Sequence, residues 1–179
     1  MKKIAAFLLA LLCAAAADAA PLAAPLAGRF HGATAGAAEI DAAHRAARER
    51  ILAFALIHEG APYLSGGATE AGMDCSGFVY LSFSEALGVS VPRTSESLFL
   101  WAQRIAPEQR QPGDLVFFSG GSAGRIDHVG IYIGAGRFVH SASQGRRTGV
   151  ILSALDEPYW AGIYAGSGRA LPPSRHFGE

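Results

Sequence analysis

The stretch Asp74-Cys75-Ser76-Gly77-Phe78 decides the fold, because it combines a helix start with a chemically reactive side chain. Asp74 is a favourable N-cap and Gly88 a favourable stop, so the sequence predicts a helix over residues 75–87. Upstream, apolar residues at helical spacing predict another helix over residues 43–58. A shorter helix is predicted over residues 95–103.

Beyond these helices the sequence changes to the pattern of β-strands. Short runs of β-favouring residues, separated by glycines, predict strands over residues 114–119, 128–133, 137–142 and 149–152, with a last strand near 162–165. Helices followed by a meander of strands indicate an α+β domain with an antiparallel sheet. The helix that begins at Cys75 is expected to pack against that sheet.

The segments outside this domain have different compositions. A positive start, an apolar run over residues 4–12 and the small residues Ala17-Asp18-Ala19 predict a signal peptide over residues 1–19. We expect a flexible leader over residues 20–42, the folded domain over 43–171 and a C-terminal tail over 172–179. The apolar run is much shorter than the ~20 residues that span a bilayer, so no transmembrane helix is expected in the mature chain. Lipid attachment at Cys13 is the alternative, although the bulky Leu12 before it disfavours this.

The composition excludes several classes of protein. The chain has 179 residues, 50% of them hydrophobic, which suits one ordinary domain. Its 15 basic and 15 acidic residues give no net charge, so we expect no nucleic-acid partner. Of the two cysteines, only Cys75 remains after export, so an intrachain disulfide is excluded. Cys75 is therefore either a buried, inert residue or a reactive thiol. Separately, we expect the protein to be a monomer.

Three residues suggest nucleophilic catalysis: Cys75, His128 and His140. The partial positive charge at a helix N-terminus favours thiolate over thiol, so we expect the pKa of Cys75 to be lowered. If residues 134–136 form a three-residue hairpin loop, Ile133 pairs with Arg137, and both imidazoles project from one face of the sheet. Residues on the opposite face of these two strands, such as Val129 and Val139, would then face the core.

On that geometry His128 would be the general base for Cys75, and His140 would orient the first imidazole. Each residue also has a plainer interpretation. Cys75 alone is more often a small core residue, and each histidine alone is more often half-buried in a sheet. A zinc site made of the same three residues is a rival interpretation, but it lacks a fourth ligand.

Several motifs strongly resemble the NlpC family of papain-like cysteine peptidases of the bacterial cell wall. They are Asp74-Cys75-Ser76-Gly77-Phe78-Val79, Asp127-His128-Val129-Gly130-Ile131-Tyr132-Ile133-Gly134, Phe138-Val139-His140-Ser141, Gly60-Ala61-Pro62-Tyr63 and Pro92-Arg93-Thr94-Ser95. Glu157-Pro158-Tyr159-Trp160 is similar to the ending of single-domain murein endopeptidases of Gram-negative bacteria. The resemblance extends over about residues 45–171.

The resemblance implies a papain-like fold and a Cys-His-His triad that needs no cofactor and no metal. Cys75 corresponds to the nucleophile, His128 to the base and His140 to the variable third polar residue. Tyr63 matches a tyrosine whose hydroxyl borders the oxyanion region.

Three further positions match residues around the substrate of this family. Asp74 and Ser76 match residues that contact the peptide stem, although an N-cap role explains Asp74 equally well. Arg93 fits the family motif with either a structural or a substrate-binding role.

The expected function is a peptidoglycan endopeptidase in the periplasm of a Gram-negative bacterium. It would act through a thioester acyl-enzyme, with the D-Ala–meso-diaminopimelate bond favoured. Alternatives are the γ-D-glutamyl–diaminopimelate bond, a secreted antibacterial wall hydrolase, acyl transfer to a lipid or small amine and, from another class, a non-catalytic wall-binding module.

Overall fold

The computed structural model describes residues 27–121, 124–145 and 147–171. Its helices are α1 (Ala27–Ile57), α2 (Cys75–Leu87), α3 (Ser95–Trp101), α4 (Pro158–Ile163) and a 3-10 turn at Pro107–Gln109. Its strands are β1 (Ala68–Thr69), β2 (Gly72–Met73), β3 (Gln103–Ile105), β4 (Leu115–Phe118), β5 (His128–Gly134), β6 (Arg137–Ala142), β7 (Gly149–Ala154) and β8 (Tyr164–Arg169). The predicted α+β class, with helices before an antiparallel sheet, is confirmed.

Helix α1 begins earlier than the sequence indicated. Residues 27–42 are helical, so the expectation of a flexible leader is wrong for this part of the segment. Alanine, the strongest helix former, recurs through it and outweighs its three glycines. Residues 37–43 are exposed, so this part of the helix buries little, as expected. The predicted signal peptide, residues 20–26 of the leader and the predicted tail over 172–179 lie outside the described residues.

The helix that carries Cys75 has the predicted bounds because both its ends are capped. The Asp74 side chain accepts a hydrogen bond from the Gly77 N–H, and Gly88 adopts the left-handed conformation with φ of 68°. The helix packs on β5 and β6, which confirms the expected contact with the sheet. Its first turn therefore lies near the start of β5.

The main sheet has the strand order β3-β8-β4-β5-β6-β7, and its pairs are antiparallel. The expected meander holds from β4 to β7, but β8 then returns to lie between β3 and β4. Helices α1 and α2 cover one face, where buried residues such as Phe78, Val129 and Val139 form the core. On the other face a smaller apolar cluster contains Phe118 and Phe138. The histidine-bearing face of the sheet is therefore also packed.

The β5–β6 hairpin has the predicted register in its strands but not in its loop. Ile131 pairs with Val139, as predicted, whereas Gly134 rather than Ile133 pairs with Arg137. A register shift between residues 132 and 134 absorbs the extra residue as a bulge. The loop is therefore a two-residue turn, Ala135-Gly136, with φ of 50° and 70°.

Among the described residues, no helix combines the length and the hydropathy of a bilayer-spanning segment.

Candidate active site

The Cys75 thiol lies beside the first residues of β5. Cys75 is the first residue of α2, is partly buried and has no disulfide partner. Its Sγ lies 3.9 Å from the carbonyl oxygen of Asp127, and the Val129 N–H also points at the sulfur. The thiol thus contacts the backbone immediately before and immediately after His128.

Burial, rather than the helix N-terminus, dominates the acidity of this thiol. Desolvation and the neighbouring Asp74 carboxylate raise the pKa of Cys75 above its ordinary value of 9.0. The N–H groups of Val129, Ser76 and Cys75 itself oppose this rise but do not reverse it. The prediction of a lowered thiol pKa is therefore wrong, because the first turn of the helix is covered by protein rather than open to water.

The two histidines lie against each other on the face predicted for them. His128 Nε2 and His140 Nδ1 are 2.9 Å apart, with the ring planes nearly perpendicular. Gly130 provides the necessary room: a Cβ there would come within 2.7 Å of Phe138 Cδ2 and 3.1 Å of His140 Cβ. Because His128 Nε2 is engaged by His140, a proton transfer to His128 would have to use Nδ1.

Burial also keeps both imidazoles neutral. Desolvation lowers the pKa of His128 to about 4, although the neighbouring Asp127 opposes the change. Desolvation and the nearby His128 lower the pKa of His140 to about 2. At neutral pH the site therefore holds a neutral thiol and neutral imidazoles rather than a thiolate–imidazolium pair.

Trp160 covers the histidine pair and was not among the predicted site residues. Its ring stacks on His128, with 5.2 Å between centroids, and meets His140 edge-on at 4.8 Å. The sequence signal was present, since Trp160 ends the Glu157–Trp160 motif. The tryptophan removes water from the imidazoles and contributes to their lowered pKa values.

Tyr63 lies close to the thiol through a backbone bridge with Met73. Burial, together with the charges of Cys75 and Asp74, raises the pKa of the Tyr63 phenol, while hydrogen bonds with Ser65 and Ser143 oppose the rise. The phenol is therefore a neutral O–H donor at neutral pH. The charge of Cys75 acts on this phenol, and the oxyanion role of Tyr63 stays a prediction.

Asp74, Ser76 and Arg93 bind one another. The Arg93 guanidinium donates to both Asp74 carboxylate oxygens at 2.8 and 3.0 Å, to Ser76 Oγ at 2.9 Å and to the Gly67 carbonyl at 2.6 Å. Burial would raise the pKa of Asp74, but Arg93 and the Gly77 N–H hold it below its ordinary value. This network fixes the first turn of α2, and contact of these side chains with substrate stays a prediction.

Two clefts flank the start of β5. The larger, of about 800 Å³, is lined by His128 and Trp160 and by residues of the β6–β7 loop. The smaller, of about 440 Å³, lies at the N-terminus of α3. Asp127 and Gly121 line both clefts, so the two adjoin at Asp127, whose carbonyl oxygen lies 3.9 Å from Cys75 Sγ.

The zinc interpretation gains no support from these positions. The facing nitrogens of His128 and His140 point at each other rather than at a common point. In the described parts of the chain, no group of three or more His, Cys, Asp or Glu side chains is arranged to hold a metal ion.

Known proteins share this domain. The profile of the NlpC/P60 family matches residues 60–169. Murein DD-endopeptidase MepS/Murein LD-carboxypeptidase of Escherichia coli K12 is 41% identical over 116 residues, which cover 65% of this chain and 59% of that protein. Gamma-DL-glutamyl hydrolase of Bacillus subtilis is 43% identical over 102 residues, covering 56% of this chain and 24% of that protein.

Among solved structures, a Staphylococcus aureus protein described as similar to a lipoprotein of the NLP/P60 family superposes with a TM-score of 0.61. It is 35% identical, and the match covers 70% of this chain and 42% of that one. The match therefore spans less than two thirds of the length of each of these three relatives.

Proposed function

The chain belongs to the NlpC/P60 family, and from this membership we propose that it is a peptidoglycan endopeptidase that uses Cys75 as nucleophile and His128 as general base. The observation that carries the proposal is the position of the thiol. It contacts the backbone on both sides of His128, whose Nε2 is held by His140.

In the first step, His128 Nδ1 takes the proton from the Cys75 thiol as Sγ attacks the carbonyl carbon of the scissile amide. Because thiol and imidazole are both neutral at rest, the proton moves during the attack rather than before it. The Cys75 N–H and the Tyr63 hydroxyl would donate to the oxyanion that forms.

In the second step, the tetrahedral intermediate collapses to a thioester and the C–N bond breaks. The leaving amine takes the proton from His128. Water then attacks the thioester, with His128 again as base, and releases the carboxylic acid and the free thiol. Thiol, imidazole and oxyanion donors supply every proton and charge that this sequence needs, so we expect no cofactor.

The substrate is proposed to be the peptide part of peptidoglycan. The two clefts adjoin at Asp127, whose carbonyl oxygen lies 3.9 Å from the thiol, and together they could hold an extended peptide. The E. coli relative is named a murein DD-endopeptidase, which agrees with the D-Ala–meso-diaminopimelate bond that we favour. The name of the B. subtilis relative supports the alternative, a γ-D-glutamyl bond.

The proposal includes export through the predicted signal peptide over residues 1–19, action in the periplasm and a monomeric state. A secreted antibacterial hydrolase would use the same chemistry on another cell's wall. A non-catalytic wall-binding module is the alternative from another class, but Cys75, His128 and His140 would then have no chemical reason to lie together.

Digestion of purified, intact peptidoglycan, with fragments identified by mass spectrometry, tests the proposal. Wild type is compared with Cys75→Ala, His128→Gln and the control His58→Gln. His58 bonds to the Phe54 carbonyl and to Glu70 rather than to the site. We expect wild type and the control alone to convert cross-linked dimers to monomers.

Shortened stems would instead assign the γ-D-glutamyl bond. Equal product from Cys75→Ala and wild type would overturn the assignment of the nucleophile. No product from folded wild-type protein with a reduced thiol would overturn the hydrolase proposal and favour wall binding or acyl transfer.

A further inference from the structure

A serine on β7 extends the hydrogen-bonded pair formed by His128 and His140. Ser153 Oγ lies 3.1 Å from His140 Nε2, the ring nitrogen that faces away from His128. In the pairing of β6 with β7, Ser153 lies opposite Phe138, two residues before His140. The serine therefore reaches His140 from the neighbouring strand. His140 is 0% and Ser153 7% exposed, so this bond is buried.

Two arrangements of protons satisfy these contacts, since a bond between two neutral imidazoles needs one donor and one acceptor. In the first arrangement, His128 Nε2–H donates to His140 Nδ1, His140 Nε2–H donates to Ser153 Oγ, and His128 Nδ1 keeps a free lone pair. In the second, Ser153 donates to His140, His140 Nδ1–H donates to His128, and the proton of His128 is on Nδ1. Only the first leaves a lone pair on His128 Nδ1, which the proposed function needs for taking the Cys75 proton.

We propose that Ser153 is a positioning residue that accepts the His140 Nε2–H bond and thereby holds His128 in the Nε2–H tautomer. The inference rests on the proposed function, because the tautomer matters only if His128 takes a proton from Cys75. It assigns to a fourth residue the task of orienting both imidazoles.

The position of Ser153 favours the accepting role. Ser153 lines the larger cleft, so its hydroxyl hydrogen can reach water while a lone pair faces His140. The first arrangement also suits the protonated state of His128 that forms during the reaction. His140 Nδ1 then presents a lone pair to the imidazolium, whereas the second arrangement would present a positive N–H to it.

The tautomers can be measured in the resting wild-type protein by two-dimensional ¹H–¹⁵N NMR of imidazole nitrogens after labelling with ¹⁵N-histidine. The chain has six histidines, so the signals are assigned with single histidine variants. We expect both His128 and His140 to carry their proton on Nε2 at pH 7. A proton on Nδ1 of His128 would overturn the proposal, and this readout requires no activity.

Kinetics on a peptidoglycan fragment provide the second readout. We expect Ser153→Ala to lower kcat about ten- to a hundredfold with little change in KM, the range for losing one buried hydrogen bond that the transition state requires. Ser153→Thr, which keeps the hydroxyl, should restore most of kcat. The matched control is Ser167→Ala, which removes a buried serine hydroxyl bonded to Tyr164 elsewhere in the same sheet.

The two readouts separate the failure of this inference from the failure of the proposed function. If wild type cleaves peptidoglycan but Ser153→Ala has the kcat and tautomers of wild type, Ser153 is not a positioning residue. If Ser153→Ala does not fold, the tautomers measured in wild type and the kcat of Ser153→Thr still test the role of Ser153. If wild type cleaves nothing, the proposed function fails, while the NMR result still reports whether Ser153 accepts from His140.

Discussion

Removing the guanidinium of Arg93 should destabilise the first turn of α2, and the size of the effect follows from its bonds. Arg93 donates to Asp74, Ser76 and Gly67 at 2.6–3.0 Å. A charged hydrogen bond contributes ~1.5–3 kcal/mol when buried. The Arg93 side chain is 35% exposed and that of Asp74 16%, so solvent screens part of this. We expect Arg93→Met to lower the free energy of unfolding by about 2 kcal/mol at pH 7.

The effect should depend on pH in a defined direction. The pKa of Asp74 in the folded protein lies below its ordinary value of 3.8. Its ionised form therefore stabilises the fold above about pH 4, and this contribution is lost as pH falls through the folded-state pKa. The difference between wild type and Arg93→Met should shrink as pH falls below 4.

Chemical denaturation of wild type, Arg93→Met, Asp74→Asn and the double variant measures the coupling, which we expect to be about 1–2 kcal/mol. The control is Arg125→Met, which removes an exposed ion pair with Glu96 and should cost less than about 0.5 kcal/mol. If Arg93→Met keeps wild-type stability and instead raises KM, Arg93 binds substrate and the structural argument is refuted.

Three further predictions follow from buried groups. Since only neutral His128 accepts a proton, kcat/KM should stay constant down to about pH 5 and fall as pH approaches the His128 pKa of about 4; a fall centred near pH 6.5 in a pH–rate profile would contradict this. Gly130→Ala would place a Cβ 3.1 Å from His140 Cβ, so it should lower the free energy of unfolding by about 1–3 kcal/mol and remove most of kcat. The control Gly162→Ala adds its Cβ in open space and should change stability little. Equal loss of stability in the two variants would contradict the argument. Asp114→Asn should lower the free energy of unfolding by about 3–5 kcal/mol, because the Asp114 carboxylate is fully buried between two arginines. Thermal denaturation measures this, and a variant with the unfolding temperature of wild type would refute the prediction.

The sequence was sufficient to predict the structure where local signals agree with tertiary packing. The bounds of α2 follow from Asp74 and Gly88, whose preferences are local. The shared face of His128 and His140 agrees with the period of two along β5 and β6. The predicted register holds there because the bulge between residues 132 and 134 compensates for the shorter loop.

The parts that sequence reasoning missed depend on contacts distant in sequence. Strands β1 and β2 have two residues each, too few to show a period. The position of β8 between β3 and β4 depends on tertiary packing, and no local sequence pattern predicts it. Ser153 and Trp160 reach the histidines from β7 and α4, and neither has a spacing from Cys75 that would predict it.

The raised pKa of Cys75 is also a tertiary effect. Burial of the thiol outweighs the N–H groups at the helix N-terminus, which lower its pKa. The adjacent Asp74 carboxylate is visible in the sequence, but the burial comes from tertiary packing, which the helix sequence alone does not reveal.

The place of β8 in the sheet has a consequence for the time at which the candidate site becomes complete. The ribosome makes β8 last among the described strands, yet β4 pairs with it along its whole length, and Arg169 binds the buried Asp114. Until residues 164–169 have been synthesised, β4 has an open edge and Asp114 lacks one of its two cations. A nascent chain that has already exposed His128 therefore carries it in an incomplete sheet, and that sheet is completed only when residues 164–169 have been made.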